Sequence, residues 1–208
     1  MQITQDTTLY EIATLDRFAE FSDQVIFAGN KSVTIRDLNR FAPDWITSDI
    51  AEGFQYLYDT GARCVRPYTA RARKGDPSLE RVLLFDFSLD KPAPFVVLCA
   101  GGGYGDVASM VEAFPSAKRL NELGCSAFVL QYRVGAHGGR EKPLDDLACA
   151  VRYILDNARN LGVRPDAYTV CGYSAGGHLA ACFGTEALGW KKYDLPAPGV
   201  IWLSYPVI

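Results

Sequence analysis

Residues Cys171–Ala180 read "CGYSAGGHLA" and place a serine between glycines where two patterns meet. Before it, "AYTVCGY" (167–173) has the residue types of a strand. After it, "AGGHLAACFGTEAL" reads as a helix. Gly172-Tyr173-Ser174-Ala175-Gly176 fits G-x-S-x-G, and mechanics explain the spacing. A strand that turns sharply into a helix leaves the apex residue in a strained conformation, and glycine on either side avoids clashes that a Cβ would cause. The apex hydroxyl then projects beyond the sheet edge. The amide of Ala175, at the helix N-terminus, points toward an oxygen bound there. Ser174 is therefore the candidate nucleophile.

Working outward, the flanking chain alternates strands and helices. "FVVLCA" (95–100) is a short, wholly apolar run of the kind buried on both faces of a sheet. A long loop leads to a helix expected from Pro115 to Leu123, with proline in its first turn and Gly124 as its stop. "SAFVLQYRV" (126–134) is the next strand. Asp145 or Asp146 is expected to cap a helix whose stripe is Leu147, Val151, Ile154, Leu155 and Ala158. "GVIWLSYPVI" (199–208) closes the series as a strand. Such alternation predicts an α/β fold with a mostly parallel sheet and helices on both faces.

The first part differs. Residues 1–61 read as a helical segment, either packing on the main body or acting as a cap, and residues 62–208 as the α/β domain. Thr8 and Glu11 have capping-box spacing. Thr34 is expected to cap a short helix ending before Pro43, and Ser48 or Asp49 to cap "IAEGFQYLYDT". "ARCVRPYTA" and "ERVLLFDFS" read as two strands of an antiparallel hairpin, joined by "RARKGDPSL".

Composition bounds the chemistry. With 208 residues the chain fits one domain and can bury about 70% of its unfolded surface. A net charge of −3 without a basic run argues against nucleic acid or an anionic membrane as partner. No apolar stretch reaches about 18 residues, so no membrane span is expected. The six cysteines show no C-x-x-C spacing and only two histidines accompany them, so no metal site is expected. The N-terminus lacks the pattern of a signal peptide, and a cytoplasmic location is expected.

A second glycine cluster, "CAGGGYGD", follows the strand 95–100. Bare backbone amides there can approach a developing oxyanion closely; Gly102 and Gly103 are the candidate donors, with Ala175 as a third. Tyr104, Tyr173 and His137 are candidate substrate contacts. The pieces "AGGGY", "YRV" (132–134), "PLDDL" (143–147) and "GYSAGGHLA" together resemble an α/β-hydrolase of the esterase/lipase group, the hormone-sensitive-lipase-like and acetyl-esterase-like enzymes. Order and spacing agree from about residue 80 to 208. The resemblance implies a serine hydrolase of carboxylic esters, with short acyl groups on small alcohols or sugars and no cofactor. Ala100 departs from it, since many relatives carry histidine before the glycines.

The resemblance also implies an order of Ser, then Asp or Glu, then His, the last two after later strands. That leaves two strand–helix units, about 60 residues at roughly 30 per unit, expected beyond Ile208, with the C-terminal strands of the fold. Without base and acid, residues 1–208 alone are expected to be nearly inactive. His178 sits one turn below Ser174 on the helix and reads as a packed histidine. Two rival readings remain: a hydrolase-fold binding protein without catalysis, and a nucleotide-binding domain using Gly103–Ala108 as G-x-G-x-x-A.

Overall fold

A computed structural model describes residues 1–26, 31–139 and 141–208. A six-stranded sheet runs in the order β1-β2-β4-β3-β5-β6, from β1 (Cys64–Val65), β2 (Leu83–Phe87), β3 (Ala93–Cys99), β4 (Ser126–Gln131), β5 (Val163–Tyr173) and β6 (Val200–Ser204). β2 pairs antiparallel with β1 and with β4; β3, β4, β5 and β6 are mutually parallel. Every residue of β2 and β4 is buried, including the polar Asp86, Ser126 and Gln131.

Three crossover helices connect the parallel strands: α5 (Ala113–Glu122), α6 (Lys142–Asp156) and α7 (Ser174–Gly184). From β3 the chain steps toward β2 to form β4. From β4 it steps back across β3 to β5, then onward to β6. Right-handed crossovers therefore put α5 on one face and α6 and α7 on the other. The order reverses between β3 and β5, whose ends meet at the Cys99–Gly172 pair. A crevice opens beyond the strand ends at such a reversal, and the loops after both strands fall there.

On the α5 face, Phe114 meets Phe85 and Phe87 of β2. The earlier helices α1 (Leu9–Ala13), α2 (Ser22–Val25) and α3 (Thr47–Asp59) join the same core through Phe18, Phe21 and Phe54; Phe21 rests on Phe85 and Phe54 on Phe114. Among the described residues no helix is long and apolar enough to cross a membrane.

Several local expectations change. The capping box of Thr8 and Glu11 is present. Thr34 and Asp37 exchange bonds ahead of a 3-10 turn at Arg36–Arg40. α3 starts at Thr47 behind Ile46, with no side-chain cap from Ser48 or Asp49. The strands β1 and β2 do pair, but their connection is not a simple hairpin turn: it holds α4 (Ala70–Gly75) and a 3-10 turn at Pro77–Arg81. Thr69 and Asp76 cap these turns, so polar side chains inside an apparent loop were the missed helix signals. α5 begins two residues before Pro115. Neither Asp145 nor Asp146 caps α6, which opens at Lys142.

Candidate active site

Ser174 follows the last residue of β5 and opens α7 with φ 48°, a left-handed conformation that costs a non-glycine residue about 1–2 kcal/mol. Close packing holds it there. A Cβ on Gly172 would lie 2.1 Å from the carbonyl oxygen of Gly176, and a Cβ on Gly176 would lie 2.1 Å from that of Cys99. Both glycines are needed for the helix start to press against the end of β3. The Val207 N–H donates to the Ser174 carbonyl at 3.1 Å, tying the apex to the chain after β6. Ala175 is buried directly behind it, among the N–H groups that a helix start leaves unpaired.

The loop after β3 folds back on itself beside the serine. The Gly102 carbonyl accepts from the N–H groups of Gly105 and Asp106 at 3.0 and 3.1 Å, and the Gly101 carbonyl accepts from Ala108 at 2.9 Å. The Gly101 N–H donates to Glu112 Oε2 at 2.5 Å. Among the described residues, no acceptor takes the amides of Gly102 and Gly103. Gly102 and Ser174 line one cavity of about 550 Å³, together with Trp45, Asp106, Glu112 and Tyr205. Burial pushes the Glu112 carboxyl above its usual range, opposed in part by the bonds from the Tyr205 hydroxyl and the Gly101 amide.

Other candidates go elsewhere. Tyr104 turns its hydroxyl to His178 Nδ1 at 2.8 Å, and His178 Nε2 lies 3.6 Å from Cys182 Sγ. Tyr104 and His178 line a separate cavity of about 420 Å³ with Arg133. Tyr173 shares a 2.7 Å bond with Ser116 Oγ and packs near Tyr205, outside the serine cavity. His137 lines a third hollow, with Gly105 and Tyr132. The structure thus brings Ser174 and Gly102 to one cavity, with Ala175 next to the serine and Gly103 next to Gly102 in the chain, and places both histidines at other cavities.

Two features escaped the sequence reading. Glu112 carries no motif, because one glutamate in "MVEAF" looks like any surface residue. Arg133 and Asp146 lie in the quoted pieces "YRV" and "PLDDL", yet their pairing was not inferred. Asp146 accepts from Arg133 Nη2 at 2.7 Å, from the Arg133 amide at 2.8 Å and from the Tyr68 hydroxyl at 2.9 Å. This fully buried pair pins the start of the loop after β4 to α6.

The fold agrees with that of known proteins. The BD-FAE family model matches residues 85–191, from β2 to beyond α7. The chain belongs to the BD-FAE family. This BD-FAE chain is 33% identical over 113 residues to an acetylxylan esterase of Xylanibacter ruminicola, covering 54% of the chain and 22% of the relative. An α/β-hydrolase from a Medee basin deep-sea metagenome library superposes with a TM-score of 0.55 at 33% identity, over 61% of this chain and 52% of that one. An acetyl ester-xyloside bifunctional hydrolase of Caldicellulosiruptor lactoaceticus gives 0.56 at 28% identity, over 70% and 57%. The BD-FAE chain has the α/β-hydrolase fold, and its matches cover between 19 and 24% of the length of its curated relatives. The matched span holds Gly101–Gly103, Glu112 and Ser174; Trp45 and Tyr205 lie outside it.

Proposed function

We propose that this protein hydrolyses carboxylic esters through an acyl-enzyme on Ser174, with short acyl groups such as acetate as its substrates. The observation that carries the reading is the left-handed serine at φ 48°, lining one cavity with a glycine turn whose amides are unengaged. As a base takes its proton, the Ser174 oxygen attacks the ester carbonyl, whose oxygen gains the negative charge that the N–H groups of Gly102, Gly103 and Ala175 stabilise. The ester C–O bond then breaks, the alcohol leaves with that proton, and water hydrolyses the acyl-serine to the acid and free Ser174. One donor of this kind is worth roughly 3 kcal/mol in the transition state. The acetyl preference rests on the acetylxylan esterase and the acetyl ester-xyloside hydrolase among its relatives. Carboxylates and aromatic rings around the cavity suit a hydroxyl-rich alcohol such as a sugar: carboxylates accept from hydroxyls and rings cover apolar faces.

A serine needs a base within hydrogen-bond reach and an acid to orient that base. His178 is committed to Tyr104 and His137 lies in another hollow, so the reading requires both groups from elsewhere in the protein. In a form of the protein that supplies both groups, a fluorophosphonate probe should label Ser174, and Ser174→Ala should abolish labelling and lower p-nitrophenyl acetate hydrolysis by about 10⁴-fold or more. Labelling at a different residue, or a Ser174→Ala protein that turns over normally, overturns the reading. Labelling absent altogether favours a binding protein on the same fold.

A further inference from the structure

We propose that Glu112 is a positioning residue for the glycine turn, acting through its two oxygens as acceptors rather than through its charge. The inference rests on the serine-hydrolase reading above. Glu112 Oε2 takes the Gly101 N–H at 2.5 Å, and Oε1 takes the Tyr205 hydroxyl at 2.5 Å. One side chain thus joins the loop after β3 to the chain after β6, and Ser174 lies between them. Gly101 is the floor under the serine: a Cβ there would sit 2.8 Å from Ser174 Cβ and 3.4 Å from Glu112 Oε1.

The link to the amide donors is covalent geometry. A trans peptide is planar, so the Gly102 N–H points opposite to the Gly101 carbonyl. The Ala108 N–H holds that carbonyl at 2.9 Å, and Glu112 holds the amide on the other side of Gly101. The Glu112 N–H in turn donates to the Ala108 carbonyl at 3.1 Å. Residues 101–112 therefore form a closed ring of bonds, and Glu112 lines the cavity together with Gly102, Asp106 and Ala108 of that ring. Without it Gly101 has a buried N–H and no acceptor, and its rotation turns the Gly102 amide away from the serine. The engaged Gly101 amide is also excluded as an oxyanion donor, which leaves Gly102 and Gly103.

Among the described residues no cation bonds this carboxyl: Gly101 and Tyr205 hold it, and Asp106 shares the cavity wall. A charge there opposes a developing oxyanion. An acceptor pair does not require it. Glutamine keeps both links, because its oxygen accepts from Gly101 and its N–H donates to the Tyr205 oxygen.

The test measures kcat and KM for p-nitrophenyl acetate, and the rate of fluorophosphonate labelling, in Glu112→Ala, Glu112→Gln and Tyr205→Phe. Glu112→Ala should lower kcat and the labelling rate by about 10²-fold, with KM within a few-fold, as misdirected donors do. Glu112→Gln should recover most of that loss. Tyr205→Phe, which leaves the loop itself untouched, should cost on the order of 10-fold, the worth of one hydrogen bond to a charged group. The proposal is overturned if Glu112→Ala keeps its kcat, if its loss appears in KM alone, or if Glu112→Gln is as impaired as Glu112→Ala. Should Glu112→Ala not fold, a Tyr205→Phe protein of unchanged kcat overturns it equally. Ser174→Ala separates the two readings. If it stays active, the hydrolase reading fails; if it is dead while Glu112→Ala is normal, only the positioning role fails.

Discussion

Two carboxylates, Asp146 buried and Glu112 half-buried, flank the carboxyl ends of the central strands, and they are built to opposite specifications. Asp146, on α6, is saturated: the guanidinium and amide of Arg133 and the Tyr68 hydroxyl occupy its oxygens. Glu112, at the start of α5, has one amide, one hydroxyl and a cavity, with no cation in contact. A carboxylate paired with arginine inside the protein anchors one loop to one helix. A carboxylate without a cation bonded to it among the described residues lines the same cavity as the strained serine. The contrast shows that burial alone does not mark a site residue; the nature of its partners does.

Substitution at Asp146 should give the largest effect. Asp146→Ala leaves Arg133 buried against Asp76 at 3.4 Å, and the loss should be about 3–5 kcal/mol, read as a lowered denaturant midpoint. Tyr68→Phe removes one bond to the same carboxylate and should cost about 1.5 kcal/mol. Neither should alter kcat in the fraction that stays folded. If Asp146→Ala folds with its stability intact but loses kcat, Asp146 belongs to the chemistry and the contrast collapses.

This contrast also marks where the sequence can and cannot be read. The α/β-hydrolase fold was legible because residues 95–99 and 127–130 are apolar without interruption and the glycines at 172 and 176 have a geometric purpose. Those features are local, and a local pattern carries them. The second antiparallel partner of β2, β4, and the helical turns between residues 70 and 81 were harder, since caps such as Asp76 resemble loop residues until the backbone bends around them. Asp145 and Asp146 show the same limit from the other side. At the head of a helix they read as caps, yet Asp146 takes its partner from a strand end and Asp145 takes the Tyr193 hydroxyl at 2.8 Å. Glu112 was invisible because its partners lie 11 and 93 residues away. Long-range polar contacts leave no periodic trace, whereas core faces and elbows do.

The smallest predicted effect is also the one that separates the two carboxylates most cleanly. Burial raises the Glu112 pKa above its unfolded value, so folding favours the protonated form. The stability from that preference is fully present below the unfolded pKa, about 4.3, and is lost as pH rises through the folded pKa. Glutamine mimics the protonated group at every pH. Glu112→Gln should therefore match the unsubstituted protein near pH 4 and melt above it at pH 7–8, with the gap opening as Glu112 ionises. Melting temperatures of the two proteins across this range supply the difference directly, since titrations elsewhere cancel. A gap of the opposite sign would mean that the ionised carboxylate is stabilised by its site, as in an ion pair. Glu112 would then be a second Asp146 and not a carboxyl held beside the serine at a cost in stability.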